Sequence, residues 1–360
     1  SQPYEESVDW RNGDRFYGMI ANFDHNMGKL RERLASLGLA ENTIFIFMTD
    51  NGTASGASFG TDTLNSEAVK GFNAGMRGKK SSIYEGGHRV PFIAHWPAGG
   101  LIEGRDIGSL SAHVDILPTL AELCGFGVPA SHQADGKSFA SQLMTAGAGP
   151  HRDYLVVQYQ GGPYFSKPPA AWEYSCILKD GWRLIDGKEL YDLADDPAQR
   201  RDVASEHPSI VEELRAQYPV FRKGVEPRMK AVSIDLGNPS DNPTTLSSQD
   251  WYMPKGNPPW NFGAIKKLPR VTGPWMVDVK SAGRYRLTLR QWPVEADKVV
   301  QAVRAKLRIA GRDLERSVEK GSKGVVFEMD LPAGKTELRT WLYDHEGKAG
   351  GAYFTEVEAL

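Results

Sequence analysis

The spacing of hydrophobic side chains predicts a long amphipathic helix near the start of the chain. Between residues 14 and 38, apolar residues recur at intervals of three and four, which places them on one helix face. Asn12 or Asp14 would cap the beginning of this helix, and Gly38 suits the left-handed position after its end. The apolar positions are Phe16, Ile20, Phe23, Met27, Leu30, Leu34 and Leu37.

Continuous apolar runs follow and predict buried strands. Residues 43–49 are β-branched or aromatic in sequence, the pattern of a strand covered on both faces. Residues 90–96 predict a second strand, and 115–123 predict a helix closed by Gly125. Helix and buried strand in alternation are typical of an α/β domain, with a mostly parallel sheet flanked by helices. We assign residues 1–149 to this domain.

Residues 150–225 predict a small antiparallel sheet followed by a helix. Turn residues separate the expected short strands, and Pro208 suits the first turn of a helix that runs to about Tyr218. A loop rich in Gly and Pro, 161–169, interrupts the sheet and gives no code for specificity. The expected strands are 154–159, 174–178, 182–185 and 190–193.

Residues 226–360 predict an irregular linker and then an accessory module of β-sandwich character. The linker, 226–274, is rich in Pro, Asn, Ser and Gly. The strands expected after it are 275–279, 283–291, 303–309, 325–331 and 336–343. Trp275, Trp292 and Trp341 fit either a core or a carbohydrate-contacting or dimerising surface, and we favour the core because large aromatics usually supply buried area.

Composition excludes several classes of protein. The 360 residues carry a net charge of −2, so no basic excess indicates a general nucleic-acid binder. No apolar run reaches the ~18 residues of a membrane span. Cys124 and Cys176 are too few for a disulfide framework, and the redox compartment stays open.

Asp50-Asn51-Gly52 directly follows the first predicted strand. Ligands of α/β sheets bind beyond the carboxyl ends of strands, and carboxylate and amide oxygens suit Ca²⁺ or Mg²⁺. Gly52 would permit the sharp turn that lets both side chains converge. An ordinary Asn-Gly turn and a glycosylation sequon at Asn51 are the alternatives.

Residues 77–91 combine cations, small residues and a Gly-Gly turn just before the second strand. Such a loop can bring an ammonium group and backbone donors close to an anion. It is no Walker loop, because Asn73 stands where that pattern needs glycine and Lys80 follows Lys79 where it needs Ser or Thr. A solvated basic turn is the alternative.

Together these motifs resemble the sulfatase family, within the alkaline-phosphatase superfamily. The resemblance covers roughly residues 10–220, with the motifs in the family's order, and it implies the α/β fold of that family in incomplete form. The matching stretches are Phe23-Asp24-His25-Asn26-Met27-Gly28-Lys29-Leu30, 43–52, 78–97, His113-Val114-Asp115-Ile116-Leu117-Pro118-Thr119-Leu120, and Glu189-Leu190-Tyr191-Asp192-Leu193 with Asp196-Pro197.

The resemblance assigns roles to particular residues. It implies that Asp50 and Asn51 are metal ligands, usually for Ca²⁺ with Mg²⁺ as the alternative, and that Lys80 is the catalytic lysine that contacts the sulfate group. Arg89 is a candidate for substrate binding or a structural partner of a loop acid such as Glu85. His88 lies in the same loop, as a substrate-binding candidate or a surface residue.

The family's nucleophile is a formylglycine made in a Cys/Ser-x-Pro/Ala-x-Arg motif, and the sequence has no such motif. Neither Cys124 nor Cys176 fits it. In the family the motif lies upstream of the helix that opens this chain. We therefore expect the C-terminal portion of a sulfatase, inactive alone, with a split gene product or a degenerate homologue as the alternatives.

The expected reaction is hydrolysis of a sulfate monoester, on a carbohydrate or an aryl leaving group. A related phosphoester or phosphonate hydrolase is the second hypothesis, and a non-catalytic glycan-binding protein or an inactive fragment is the third. The expected partner is a sulfated small molecule or glycan. The family implies a periplasmic or secreted protein, and the oligomeric state is left open.

Overall fold

A computed structural model describes residues 8, 10, 12–60, 65–101, 104–129, 135–159, 169–229, 232–253 and 256–360. The chain divides into two compact units, Ser1–Tyr159 with Pro169–Val225, and Glu226–Leu360 with Gln160–Pro168. The sequence-predicted domains 1–149 and 150–225 thus lie within the first unit. Most of the loop 161–169 lies outside the described residues.

The first part of the first unit contains short strands and four helices. Helix α1 ends where Gly38 adopts a left-handed conformation (φ 69°), and α3 is closed in the same way by Gly125 (φ 70°). Asn12 occupies the position before α1, but its side chain makes no capping hydrogen bond. The elements are α1 Gly13–Ser36, β1 Phe45–Met48, β2 Ala57–Phe59, β3 Ala68–Gly71, α2 Glu85–His88, β4 Phe92–His95, α3 Ile116–Cys124 and α4 Ala140–Met144.

Strand β1 pairs with β4 in antiparallel register, from Phe45 opposite His95 to Met48 opposite Phe92. β2 and β3 also pair antiparallel. The expectation of a mostly parallel sheet is therefore not met by the strand pairs of the described residues. An apolar run reports that a strand is covered but carries no information on its direction, which depends on the partner strand. β1 itself is half-buried along its whole length.

The apolar face of α1 is confirmed as helical but is mostly uncovered by the described residues. Gly13 is the only buried residue of the helix. Phe23 contacts Phe47 of β1, with ring centroids 5.9 Å apart, yet Phe23 remains 49% exposed and Met19 60% exposed. A helix face of this kind is stabilised mainly by burial, so α1 has much unburied apolar surface.

The second part of the first unit is a four-stranded antiparallel sheet in the order β5-β6-β7-β8. Helix α5 covers one face of this sheet, where Leu184 and Leu190 join Leu214 and Tyr218 in a buried cluster. The other face is covered by Ile83 and Tyr84 of the 77–91 loop, together with other residues. The elements are β5 Leu155–Gln158, β6 Ser175–Lys179, β7 Trp182–Ile185, β8 Glu189–Asp192 and α5 Pro208–Val225.

The second unit consists of two sheets around one apolar core. The four-stranded sheet has the order β10-β18-β12-β15, and the other has the order β14-β13-β16-β11-β9, with β17 paired to β16. Its elements are β9 Ile234–Leu236, β10 Thr244–Ser247, α6 Phe262–Ile265, β11 Trp275–Val279, β12 Gly283–Arg290, β13 Arg304–Ile309, β14 Arg312–Ser317, β15 Val325–Leu331, β16 Gly334–Tyr343, β17 Ala349–Gly350 and β18 Phe354–Ala359.

Tryptophans of the second unit lie mainly in that core. Trp251 and Trp275 are fully buried and contact each other edge to face, and Trp292 is also buried. Trp341 is half-buried. The segment 226–274, expected to be irregular, supplies β9, β10 and Trp251 to the core, because edge strands of three or four residues give too short a pattern to predict.

Among the described residues, every helix is too short or too polar to cross a lipid bilayer.

Candidate functional site

The turn Asp50-Asn51-Gly52 directly follows β1. The Asn51 amide donates to Oδ1 of Asp50 (3.0 Å), which folds the Asp50 side chain back over the turn. The carbonyl of Thr49 accepts from the ring of His113 (2.9 Å), so the N-terminal end of the α3 region holds the end of β1. His113, interpreted from the sequence as structural, therefore supports the turn from outside.

Gly52 is required by a close backbone approach to the 77–91 loop. Its amide donates to the carbonyl of Gly87 (3.0 Å). A Cβ atom at position 52 would lie 1.8 Å from the carbonyl oxygen of Gly86, and one at Gly87 would lie 2.0 Å from the carbonyl oxygen of Ser82. Backbone atoms cannot yield as a flexible side chain can, so only glycines allow these two segments to touch.

The segment that carries Lys80 is tied to the same turn. The Lys80 amide donates to the carbonyl of Thr53 (3.0 Å), one residue beyond Gly52. Ser81 then takes a left-handed conformation (φ 79°), which non-glycine residues rarely adopt and which tends to mark functional sites. The side chain of Lys80 is exposed. The structure thus places the lysine loop and the Asp50–Asn51 turn side by side.

The local charges favour an ionised Asp50. Hydrogen bonding from Asn51 lowers the pKa of Asp50, and the positive charge of Lys80 lowers it further to a smaller extent. Lys79 faces elsewhere, since its ammonium lies 5.1 Å from the centroid of the Phe59 ring. The two adjacent lysines therefore have different surroundings, and Lys80 is the one near the carboxylate.

His88 and Arg89 are placed differently from Lys80. The ring Nε2 of His88 is bonded to the Ile83 carbonyl (3.1 Å), and burial lowers the pKa of His88 below 6.5, which favours a neutral ring at pH 7. Arg89 is exposed and its guanidinium lies 3.5 Å from Glu85. The structure thus shows the structural pairing that the sequence offered for Arg89, and it gives His88 a contact within its own loop.

A buried ion pair beneath the loop was not anticipated from the sequence. Arg183 of β7 donates through Nε to Glu85 (2.6 Å), whose side chain is 1% exposed. The Gln199 side chain accepts from the Glu85 amide (2.9 Å), and its backbone carbonyl accepts from Arg77 (3.0 Å). The contacts join segments about a hundred residues apart, so no local motif could reveal them.

A second network lies beside that pair. Glu189 accepts hydrogen bonds from the hydroxyls of Tyr84 (2.8 Å) and Tyr191 (2.7 Å). The guanidinium of Arg77 stacks 3.8 Å from the centroid of the Tyr84 ring. Burial and the neighbouring carboxylate raise the pKa of Tyr191 to about 12, so both phenols stay protonated as donors. The loop is therefore fastened to the antiparallel sheet on its buried side.

The donor chemistry of the turn was compared with what Ca²⁺ needs. Asp50 and Asn51 offer the hard oxygens that Ca²⁺ prefers, but that ion takes about 6–8 of them. Nowhere in the described parts of the chain do three or more His, Cys, Asp or Glu side chains form a group that could hold a metal ion. The turn thus fits a calcium site by donor type and supplies only part of one.

Comparison with known families places this geometry. Residues 1–126 match the Sulfatase family model, and residues 77–223 match the model of the C-terminal part of N-sulphoglucosamine sulphohydrolase. The second match begins at Arg77 and includes both the Lys80 loop and the antiparallel sheet beneath it. The chain belongs to the sulfatase family.

Curated relatives have the same character. The chain is 28% identical over 218 residues to an N-acetylgalactosamine-6-O-sulfatase of Bacteroides thetaiotaomicron, covering 54% of this chain and 39% of the relative. It is 27% identical over 223 residues to human arylsulfatase A, covering 56% of this chain and 42% of the relative. The chain therefore spans well under half the length of these relatives.

A solved structure from work on glycosaminoglycan metabolism by Bacteroides thetaiotaomicron is also similar. It is 26% identical with a TM-score of 0.44, and the match covers 56% of this chain and 43% of that one.

Proposed function

We propose that the protein acts in the hydrolysis of sulfate monoesters, on a carbohydrate or aryl leaving group. The observation that carries the proposal is the backbone bond between Lys80 and Thr53, which fixes an exposed ammonium beside the Asp50–Asn51 turn. Membership of the sulfatase family and the sulfated substrates named for the relatives support it.

The chemistry asks for positive charge at fixed positions. Cleavage of a sulfate ester builds negative charge on the transferring oxygens and on the leaving oxygen. Preorganised charges stabilise it because they need no rearrangement during the reaction. Lys80 would bind the sulfate group and hold its charge. His88, neutral and bonded within the loop, would shape the loop, and Arg89 would border the site from its exposed position.

Asp50 and Asn51 would contribute to holding a Ca²⁺ ion, with Mg²⁺ as the alternative. When bound, such a cation supplies Lewis-acid charge stabilisation to ester oxygens. The attacking group expected from the family, a formylglycine, has no precursor motif among these 360 residues. We propose that it comes from sequence other than the 360 residues described. A periplasmic or secreted location and a sulfated glycan partner complete the proposal.

The test is turnover of a small aryl sulfate by the product of the natural reading frame that encodes these residues. Lys80→Ala should lower kcat/KM by about 100-fold or more, the scale for loss of one preorganised donor. Lys79→Ala is the matched control, because it removes an adjacent ammonium that lies over Phe59, and it should change kcat/KM less than about threefold.

Two results would contradict the proposal. Equal effects of Lys80→Ala and Lys79→Ala would show that Lys80 does not bind the reacting anion. Faster turnover of the matching aryl phosphate than of the aryl sulfate would favour a phosphoester hydrolase instead.

A further inference from the structure

The loop that carries Lys80 is held at both of its ends by one residue of the antiparallel subdomain. Gln199 accepts from Arg77 through its backbone carbonyl and from the Glu85 amide through its side chain. Arg77 and Glu85 are the two residues that bracket Gly78 to Tyr84. Gln199 is fully buried and has a left-handed conformation (φ 53°), so its position is strongly determined by its surroundings.

Arg183 fixes the same end of the loop through a charge. Its Nη1 donates to the carbonyls of Asp180 (2.8 Å) and Trp182 (2.9 Å), so the β6–β7 turn orients the guanidinium before it meets Glu85. Glu85 is the residue whose backbone carbonyl also accepts from the Arg89 amide (2.8 Å) in the short helix α2. A carboxylate this deeply buried needs its partner, because an unpaired buried charge is very costly.

The opposite side of the loop contacts the proposed metal turn. The amides of Lys80 and Gly52 make the bonds to Thr53 and Gly87 that join the two segments. The loop is therefore a layer between the sheet β5–β8 and the Asp50–Asn51 turn. A displacement on the side of Arg183 and Gln199 has no slack in which to dissipate, because glycine contacts on the other side are already at their closest approach.

We propose that Arg183 and Gln199 are positioning residues that set the place of Lys80 relative to the Asp50–Asn51 turn. Neither residue touches the turn or Lys80 itself; both act through the ends of the loop. The inference rests on the proposed function in that Lys80 is taken to bind the sulfate group. It gives residues 150–225 a part in the reaction beyond stabilising the fold.

The test compares Arg183→Lys and Gln199→Leu with Arg215→Ala. Arg215 is the matched control, because its Nε also donates to a turn carbonyl of this sheet, that of Gly187 (2.7 Å), without contacting the loop. We expect Arg183→Lys and Gln199→Leu to lower kcat/KM for the aryl sulfate by about 10- to 100-fold, the scale of an ångström-sized misplacement. Gln199→Glu, which keeps the accepting oxygen, should recover part of the loss.

A double-mutant cycle separates positioning from general damage. In the Lys80→Ala background, Arg183→Lys should have almost no further effect, because the group that it positions is gone. Hydrogen exchange supplies a readout that needs no turnover: the amides of Lys80 and Gly52 should exchange at least tenfold faster in Arg183→Lys, while the amides of α5 should not.

The two ideas fail in different ways. If the wild-type protein turns over no sulfate ester but exchange at Lys80 and Gly52 rises in Arg183→Lys, the proposed function fails and the positioning survives. If turnover is present but the Arg183→Lys and Lys80→Ala effects multiply independently, or exchange at Lys80 matches that in Arg215→Ala, the positioning inference is wrong.

Discussion

Charge is used in opposite ways by the two units. In the first, Glu85–Arg183 and Asp115–Arg152 are buried pairs that join distant segments of the chain. In the second, pairs such as Arg308–Asp313 and Arg286–Glu358 lie in exposed rows across neighbouring strands. Buried pairs are costly to break, whereas exposed pairs contribute little. Charges in the first unit thus fix loops, and charges in the second cover a surface whose stability comes from its apolar core.

The largest effect is expected from Arg152→Ala. Arg152 and His151 both bind Asp115, which also accepts from the amides of Ala112 and Lys137, so the change leaves a buried carboxylate without its cation. We expect a loss of about 3–5 kcal/mol in the free energy of unfolding of the first unit. Pulse proteolysis in urea measures it.

Arg201→Ala is the matched control for that change. Arg201 also binds a carboxylate with two contacts, to Glu206 (both 2.7 Å), but both side chains are exposed. Its urea midpoint should stay close to that of the wild type. Equal losses in the two variants would mean that burial does not distinguish the pairs.

The same pair predicts a dependence of stability on pH. Burial opposes ionisation of Asp115, but hydrogen bonds from Arg152, Lys137 and His151 outweigh it and lower its pKa below 3.8. A depressed folded-state pKa means that the contribution is fully present above the unfolded-state value and is lost as the pH falls through the folded-state value. The stability of the first unit should therefore fall below about pH 4, and Asp115→Asn should flatten that part of the profile. A profile unchanged by Asp115→Asn would contradict the assignment.

A smaller effect is expected from Gly52→Ala. The added methyl would lie 1.8 Å from the Gly86 carbonyl oxygen, so the turn and the Lys80 loop must separate. Overpacking of this kind costs about 1–3 kcal/mol. Gly28→Ala, inside α1 with no atom within 4 Å, is the control and should stabilise by about 0.5–1 kcal/mol. Chemical denaturation of both variants checks the prediction, and a neutral Gly52→Ala would refute the close approach.

The smallest effect is expected in the second unit. Asp313→Asn removes the shared carboxylate of Arg308 (2.5 Å) and Lys306 (3.0 Å) on an exposed strand pair. The urea midpoint of the second unit should not change measurably, since solvent screens such pairs. A clear shift would show that the exposed rows stabilise the sandwich and would weaken the contrast between the two units.

Sequence patterns predicted the elements whose signal is local. Helix α1 and strands β11 and β15 follow from regular spacing of apolar residues, and the observed bounds agree to within two residues. Strand β14 was missed because it is polar and exposed along most of its length, and β18 because no separate pattern marks it. Direction was also beyond reach, as the antiparallel pairing of β1 and β4 shows.

The candidate site shows the same division. Asp50, Asn51 and Lys80 stand out because their neighbours in sequence form motifs, and their roles stay predictions. Arg183 and Gln199 carry no such mark, because each is one polar residue among many until the fold brings it to Glu85. What a sequence reveals about a site is its chemistry, and what it hides is the support that arrives from distant segments.

The order of strands in the second unit has a consequence for how the protein is made. β18, residues Phe354–Ala359, lies between β10 and β12 and is hydrogen-bonded on both edges. The ribosome delivers the chain from its N-terminus, so β10 and β12 emerge long before the strand that must join them. This sheet can close only after residue 359 has been synthesised and has left the exit tunnel. Until then its apolar faces, including Leu246 and Leu287, wait uncovered in the cell, where chaperones would find them.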